Sequence, residues 1–318
     1  RVTAAMAQAV IPQLAEIYDE PFADSSQIPM HLVCKAARQQ VTVALSGDAG
    51  DELFGGYNRY FWGPRLWRRL SRLPYPLRQA VSGAMATLPA GGWDTLARPL
   101  GVVRPGEKLH KLSASLRGAH DLDDLYRNLV SEWQDPAALV LGEHGQPVQE
   151  PKSLLDDPVP ASGTEGDALR MMYRDSMTYL PDDILCKVDR AAMAVSLETR
   201  VPFLDHRVVE LAWRLPLNMK IRGNEGKWAL RQVLYKYVPR ELIERPKAGF
   251  AIPVGDWLRG PLRDWAEGLL AADRLKQEGY FHPEPIRLAW QAHLAGRSDH
   301  TAKLWTVLMF QSWLDAQG

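Results

Sequence analysis

The run Val41-Thr42-Val43-Ala44-Leu45-Ser46-Gly47-Asp48-Ala49-Gly50-Asp51-Glu52-Leu53-Phe54-Gly55-Gly56-Tyr57 constrains the fold more than any other part of the chain. It opens on a short apolar, β-rich stretch at 41–45 that reads as a buried strand of a parallel sheet. Ser46-Gly47 stops the strand, and a turn of small and acidic residues leads into a helix starting near Asp51. A strand, a small-residue loop and a helix N-terminus in that order form the usual ligand crevice of an open α/β sheet. Exposed backbone N–H groups there suit an anion, and small residues let it come close. Two carboxylates, Asp48 and Asp51, share the loop and would repel a bare phosphate. A nucleotide escorted by Mg²⁺ satisfies both facts. An acidic turn that only caps a helix satisfies them equally well on these residues alone.

Composition excludes several classes. With 46% hydrophobic and 24% charged residues, the 318-residue chain has ample material for a core. The formal net charge is zero, which gives no pull toward nucleic acid or a membrane surface. The basic cluster from Arg65 to Arg72 alternates with Leu and Trp as a solvated helix face does. Two cysteines, Cys34 and Cys186, are too few for a disulfide framework and read as thiols of a reducing compartment. No apolar run approaches the ~20 residues of a membrane span, and no signal peptide is evident. The expectation is a cytoplasmic protein with no nucleic-acid or membrane partner.

Along the chain, residues 3–18 have a helical pattern interrupted by Pro12, and Ser26 is an expected N-cap for a helix over 27–39. Residues 64–165 read as a helical insertion, with helices near 65–82, 107–117 and 121–131. Thr164-Glu165-Gly166-Asp167 has the form of a capping box opening a helix to about Tyr179. The next helix is expected from Asp182 to Val195, with Ile184, Val188, Ala191 and Val195 on its apolar face. Lys187 and Arg190 fall on the other side with Asp183; by spacing they are surface charge or a pair that holds pyrophosphate. A short helix follows at 206–214, another over 226–238 with Lys227 near its start, and a Gly/Pro-punctuated loop from Arg245 to Pro253 carries Lys247. The segment 254–318 is helical, and its Trp257, Trp265, Trp290, Trp305 and Trp313 read as core.

Three long stretches carry a family resemblance. Ser46-Gly47-Asp48-Ala49-Gly50-Asp51-Glu52-Leu53-Phe54-Gly55-Gly56-Tyr57 closely resembles the second nucleotide-site motif of glutamine-dependent asparagine synthetases. A second block, Leu180 through Arg190 continuing to Ser196 through His206, and a third, Arg245-Pro246-Lys247-Ala248-Gly249-Phe250-Ala251-Ile252-Pro253, resemble other stretches of the same family. The resemblance implies an α/β fold of the PP-loop kind, a parallel sheet here dominated by helices, with residues 1–318 as part of an ATP-dependent ligase domain. It implies ATP and Mg²⁺, and adenylation of the aspartate side chain followed by displacement of AMP by ammonia drawn from glutamine. The implied roles are adenosine contacts from Ser46 and Gly47, a Mg²⁺ ligand in Asp51, and pyrophosphate contacts from Lys187 and Arg190. Asp48 and Glu198 fall at acidic positions of the reaction centre, and Lys247 at the lysine that stabilises charge in the acyl-adenylate steps. Asp24, Ser25 and Ser26 fall in a loop beside the nucleotide.

Two family features are not found in the sequence: the N-terminal glutaminase domain, and the first nucleotide motif Ser-Gly-Gly-x-Asp-Ser. The expectation is a partial synthetase domain, inactive by itself, whose parent protein takes small-molecule substrates; a homodimer stays open. Two other readings stay open as well. One is a related amidotransferase acting on another carboxylate, such as a cell-surface sugar or a secondary-metabolite precursor. The other is a non-catalytic binding module of the same fold.

Overall fold

The computed structural model describes residues 2–87, 92–93, 105–142, 148, 150–244 and 252–318. The chain divides into two compact units, one of residues 1–18, 26–68 and 152–251, the other of 19–25, 69–151 and 252–318.

The first unit holds two short parallel strands among many helices. Strand β1, Val43–Leu45, pairs with β2, Glu198–Arg200, in the register Val43 to Glu198 and Leu45 to Arg200. Backbone bonds extend the ladder at both ends, Glu198 N–H to Thr42 O and Ser46 N–H to Arg200 O. The parallel pairing expected of 41–45 is therefore present, but the expected burial is not. Val41, Val43 and Leu45 are exposed, Leu45 to 75%. The reason is geometric: an apolar run is buried in a parallel sheet only when neighbouring strands and helices cover it, and β1 has one partner among the described residues. Only Ala44, on the opposite face, packs inward against Cys34, Ala191, Ala192 and Leu197.

Several local expectations are corrected. Residues 3–18 form two short helices, Ala4–Gln8 and Leu14–Tyr18, with a 3₁₀ turn at Ile11–Gln13 that accommodates Pro12. The Gln27–Arg38 helix begins where expected, yet the Ser26 hydroxyl does not cap it, because Ser26 already has helical backbone angles. Nor does a capping box form at Thr164. Its hydroxyl turns back to Pro160 O, Glu165 accepts from Gly163 N–H, and Gly166 at φ 102° precedes the Asp167–Met177 helix. The expected 182–195 helix is a π-helical turn, Leu180–Leu185, running into the α-helix Cys186–Met193. Its apolar face is as read: Val188 and Ala191 are buried, and Ile184 and Val195 lie partly buried against the two cores.

In the second unit helices at Pro105–Leu116 and Leu122–Val130 lie close to the places expected, whereas the helix expected near 65–82 is broken at 71–74 into Arg59–Leu70 and Tyr75–Thr87. Ser82 and Ser113 tie Tyr75–Thr87 to Pro105–Leu116 by donating to each other's carbonyls. Five C-terminal helices between Val254 and Gln317 bury Trp257, Trp290 and Trp305, while Trp265 and Trp313, expected in the core with them, are half-buried. Among the described residues no helix is long and apolar enough to cross a membrane. Cys34 and Cys186 are not joined in a disulfide, and burial pushes the Cys34 thiol up.

One buried charge is costly. Lys220 is fully buried, and among the described residues its ammonium has no hydrogen-bond partner; it lies 4.6 Å from the centroid of the Trp213 ring. Burial lowers its pKa from 10.5 to about 8. The native protein thus binds fewer protons than the unfolded chain between those values, so stability should rise with pH across that window. Lys220→Met should stabilise the fold at pH 7 by roughly 1–3 kcal/mol. It should also remove the pH dependence between 8 and 10 that Lys220 contributes. Denaturant unfolding of both proteins at pH 7 and pH 9.5 measures both effects.

Candidate functional site

The loop after β1 is built on an unusual backbone. Ala49 adopts φ 64°, ψ −12°, a left-handed conformation that costs a residue with a Cβ about 1–2 kcal/mol. It is fully buried against Leu53, Phe54, Leu180 and Ala212. This turn lets the chain reverse from strand into the Gly50–Phe54 helix, which ends on Gly55 at φ 71°. A side chain at Gly55 would meet Ile221 at 2.6 Å, so that position needs glycine for space as well as for its angle.

Ser46 and Gly47 lie at the C-terminal end of β1, where Ser46 hydrogen-bonds the Asp48 carboxylate. Space is open around Gly47: a Cβ there would have no neighbour within 4 Å. Asp51, in the first turn of the short helix, forms an ion pair with Lys227, Nζ to Oδ2 at 2.8 Å. Nothing in the sequence assigns Lys227 a role, since a lysine at a helix start carries no periodic signal and its partner lies 176 positions away. The structure makes the docking specific. Lys227 sits at φ 55°, its N–H donates to Phe54 O at 3.0 Å, and Gly226 packs against the Gly55 carbonyl. Gly56 closes the other side, where a Cβ would stand 2.5 Å from Lys227 Cε and 2.7 Å from Asp51 Cγ.

Behind Asp51 the chemistry is buried. Glu52 is 1% exposed and accepts a hydrogen bond of 2.6 Å from the Tyr57 hydroxyl. Burial raises the Glu52 pKa above the ordinary carboxylate value, and the Tyr57 bond works against that rise. Tyr57 itself is held protonated, by burial first and then by the Glu52 charge.

The second motif reaches the same region through packing. Leu180 shares a core with Ala49, Leu53 and Phe54, and Ile184 and Leu185 pack on it. Lys187 is buried, its ammonium 3.0 Å from Asp183, while Arg190 one turn on is exposed. The two cations taken together in the sequence thus have different environments. Glu198 lies on β2 opposite Val43, at the end of the ladder away from the Ser46 loop, and accepts from Arg200 Nε at 2.6 Å. Both of those side chains are more than half exposed. Lys247 lies outside the described residues.

A strand, an acidic half-buried loop and a short helix, set on a small parallel pairing among helices, give this unit an α/β arrangement. The family model described as Asparagine synthase matches residues 1–315, and the chain belongs to that family. It is 31% identical over 303 residues to asparagine synthetase [glutamine-hydrolyzing] 1 of Bacillus subtilis, covering 95% of this chain and 45% of the relative. A putative asparagine synthetase [glutamine-hydrolyzing] of Mycobacterium tuberculosis is 37% identical over 313 residues, covering 96% and 44%. The asparagine synthetase of Mus musculus is 30% identical over 154 residues, 42% of this chain. The chain therefore spans under half the length of its bacterial relatives.

Two glycines separate local geometry from site geometry. Gly56→Ala should destabilise the protein by about 1–3 kcal/mol, since the new methyl overpacks the Asp51–Lys227 pair. Gly83→Ala, in an exposed mid-helix position with open space, should stabilise it by about 0.5–1 kcal/mol. Denaturant midpoints of the two variants should move in opposite directions.

Proposed function

We propose that this chain is the synthetase portion of an ATP-dependent amide-forming ligase. It activates the side-chain carboxylate of aspartate as an acyl-adenylate, and ammonia then displaces AMP to give asparagine. The family match over residues 1–315 carries this reading, supported by the acidic loop and its paired lysine. The ammonia comes from glutamine through a domain outside this chain, in keeping with relatives more than twice its length. The sheet is of the PP-loop kind, with further parallel strands covering the exposed apolar face of β1. The protein works in the cytoplasm on small molecules.

The loop suits a magnesium nucleotide. Mg²⁺ keeps most of its waters and takes one or two carboxylates beside substrate phosphates, so it needs no cage of protein ligands. Among the described residues no three His, Cys, Asp or Glu side chains gather into such a cage, and the half-buried carboxylate of Asp51 is the one offered. When bound, the ion would neutralise phosphate charge beside Asp51. Open space at Gly47 lets adenosine approach the end of β1, with Ser46 held by its bond to Asp48. Lys227 lies within reach of phosphates bound beside Asp51, and Lys187 and Arg190 contribute from the following motif. Asp48 acts on the acyl-transfer side of the reaction; Glu198, at the far end of the ladder and paired with Arg200, would have to turn toward that side to act with it. Lys247 stabilises charge as the carboxylate attacks phosphorus and as ammonia attacks the carbonyl.

The decisive assay follows pyrophosphate and asparagine in the intact protein given aspartate, ATP, Mg²⁺ and glutamine. Aspartate-dependent release of pyrophosphate with matching asparagine is the expected result. Release that depends on another carboxylic acid would overturn the substrate assignment, and no release with any acid would favour a binding module. Lys247→Ala should lower kcat by about 10²–10³ with little change in KM for aspartate or ATP. Lys247→Arg should rescue little of that loss, because a planar guanidinium does not replace a compact ammonium.

A further inference from the structure

Below Asp51 lies a polar network of conspicuous cost. Asp175, on the Asp167–Met177 helix, is fully buried and gripped by Arg59 through Nε at 2.9 Å and Nη2 at 2.7 Å. The Tyr60 hydroxyl donates to the same carboxylate. The Arg59 guanidinium lies 4.3 Å from the centroid of Tyr57, 5.0 Å from Tyr179 and 5.7 Å from Tyr60. Tyr57 in turn packs on Tyr179 at 5.8 Å and reaches Glu52 through its hydroxyl. Burying an ion pair rarely adds stability over apolar packing, so a network of this extent suggests a requirement for fixed geometry.

We propose that Arg59 and Tyr57 are positioning residues for the nucleotide site: the Arg59–Asp175 grip fixes the Tyr57 ring, the ring fixes Glu52, and Glu52 sets the direction in which Asp51 is presented. The inference rests on the adenylation reading above. The Gly50–Phe54 helix has five residues, too few to hold its own orientation by backbone bonds alone. Its apolar residues Leu53 and Phe54 fix it against one core and Lys227 N–H holds its C-terminal end at Phe54 O, and a directional bond on its buried side adds to these in setting its rotation. Glu52 supplies that bond, and its neighbour Asp51 moves with it. Side-chain bonds of this kind give an active group its angular precision while never touching the ligand. Arg59 donates to Asp175 through Nε, pairs with it through Nη2 and lies over aromatic faces at once, a combination that lysine does not reproduce.

The test compares intact wild-type protein with Tyr57→Phe, which removes one hydroxyl, and with Arg59→Lys, which keeps the charge. Calorimetry with ATP is run in Mg²⁺ and again in EDTA, and thermal unfolding reports the fold. In each variant the affinity gained from Mg²⁺ should fall by at least about fivefold, while the metal-free Kd stays within about twofold of wild type. Asp51→Asn serves as the reference for complete loss of the Mg²⁺ increment. If both Kd values weaken in parallel, if neither changes, or if both variants fail to fold, the network is merely structural and the inference is overturned. A wild-type protein whose ATP binding gains nothing from Mg²⁺ would overturn the adenylation reading and this inference with it. Wild-type gain with unchanged variants would overturn the inference alone.

Discussion

The ion pair between Asp51 and Lys227 is the constraint on which the site depends. It joins a five-residue helix at the end of β1 to a lysine 176 positions later, and both ends are held by special backbone. Ala49 and Lys227 each occupy the left-handed region, and Gly55 and Gly56 leave no room for a side chain. Such conformations cost of order 1–3 kcal/mol each and persist where the surroundings over-determine them. The surroundings here are a core of Ala49, Leu53, Phe54, Leu180 and Ala212, with Phe203 set against Phe54 at 5.8 Å.

The parallel ladder provides the frame for that pair. Three residues of β1 and three of β2 bring the Ser46 loop beside the segment that follows Leu197. The same ladder separates two residues that the sequence treats alike. Arg200 stands level with Leu45 at the loop end, and Glu198 stands level with Val43 at the other. The backbone bond from Ser46 to the Arg200 carbonyl ties the loop directly to β2. A parallel sheet collects its chemistry at the carboxyl ends of its strands, and in this unit Ser46, Gly47 and Asp48 occupy that end.

Environment also divides residues that share a motif. Lys187 is buried with Asp183 as its partner, whereas Arg190, three positions on, is exposed. Asp51 and Glu52 are adjacent, yet one meets a lysine and the other a tyrosine hydroxyl in a desolvated pocket. Both cations lie on the α-helix that follows the π-helical turn Leu180–Leu185, and of the two it is Lys187 that pairs with Asp183 within that turn, four positions back.

By itself the sequence determined the family and most of the local structure. Long motifs with fixed residue identities are specific in a way that composition is not, and helices at 27–38, 122–130 and 206–214 follow from periodicity. Tertiary structure alone decided the burial of β1, the failure of Ser26 and Thr164 to cap, and the roles of Lys227, Arg59 and Asp175. Periodicity reports which face of an element is apolar but not whether anything covers it, so an apolar run such as 41–45 was read as buried. Ion pairs across more than a hundred residues leave no pattern in a single sequence, because the partners are chosen by packing. A left-handed alanine is likewise invisible until the chain on either side is fixed in space.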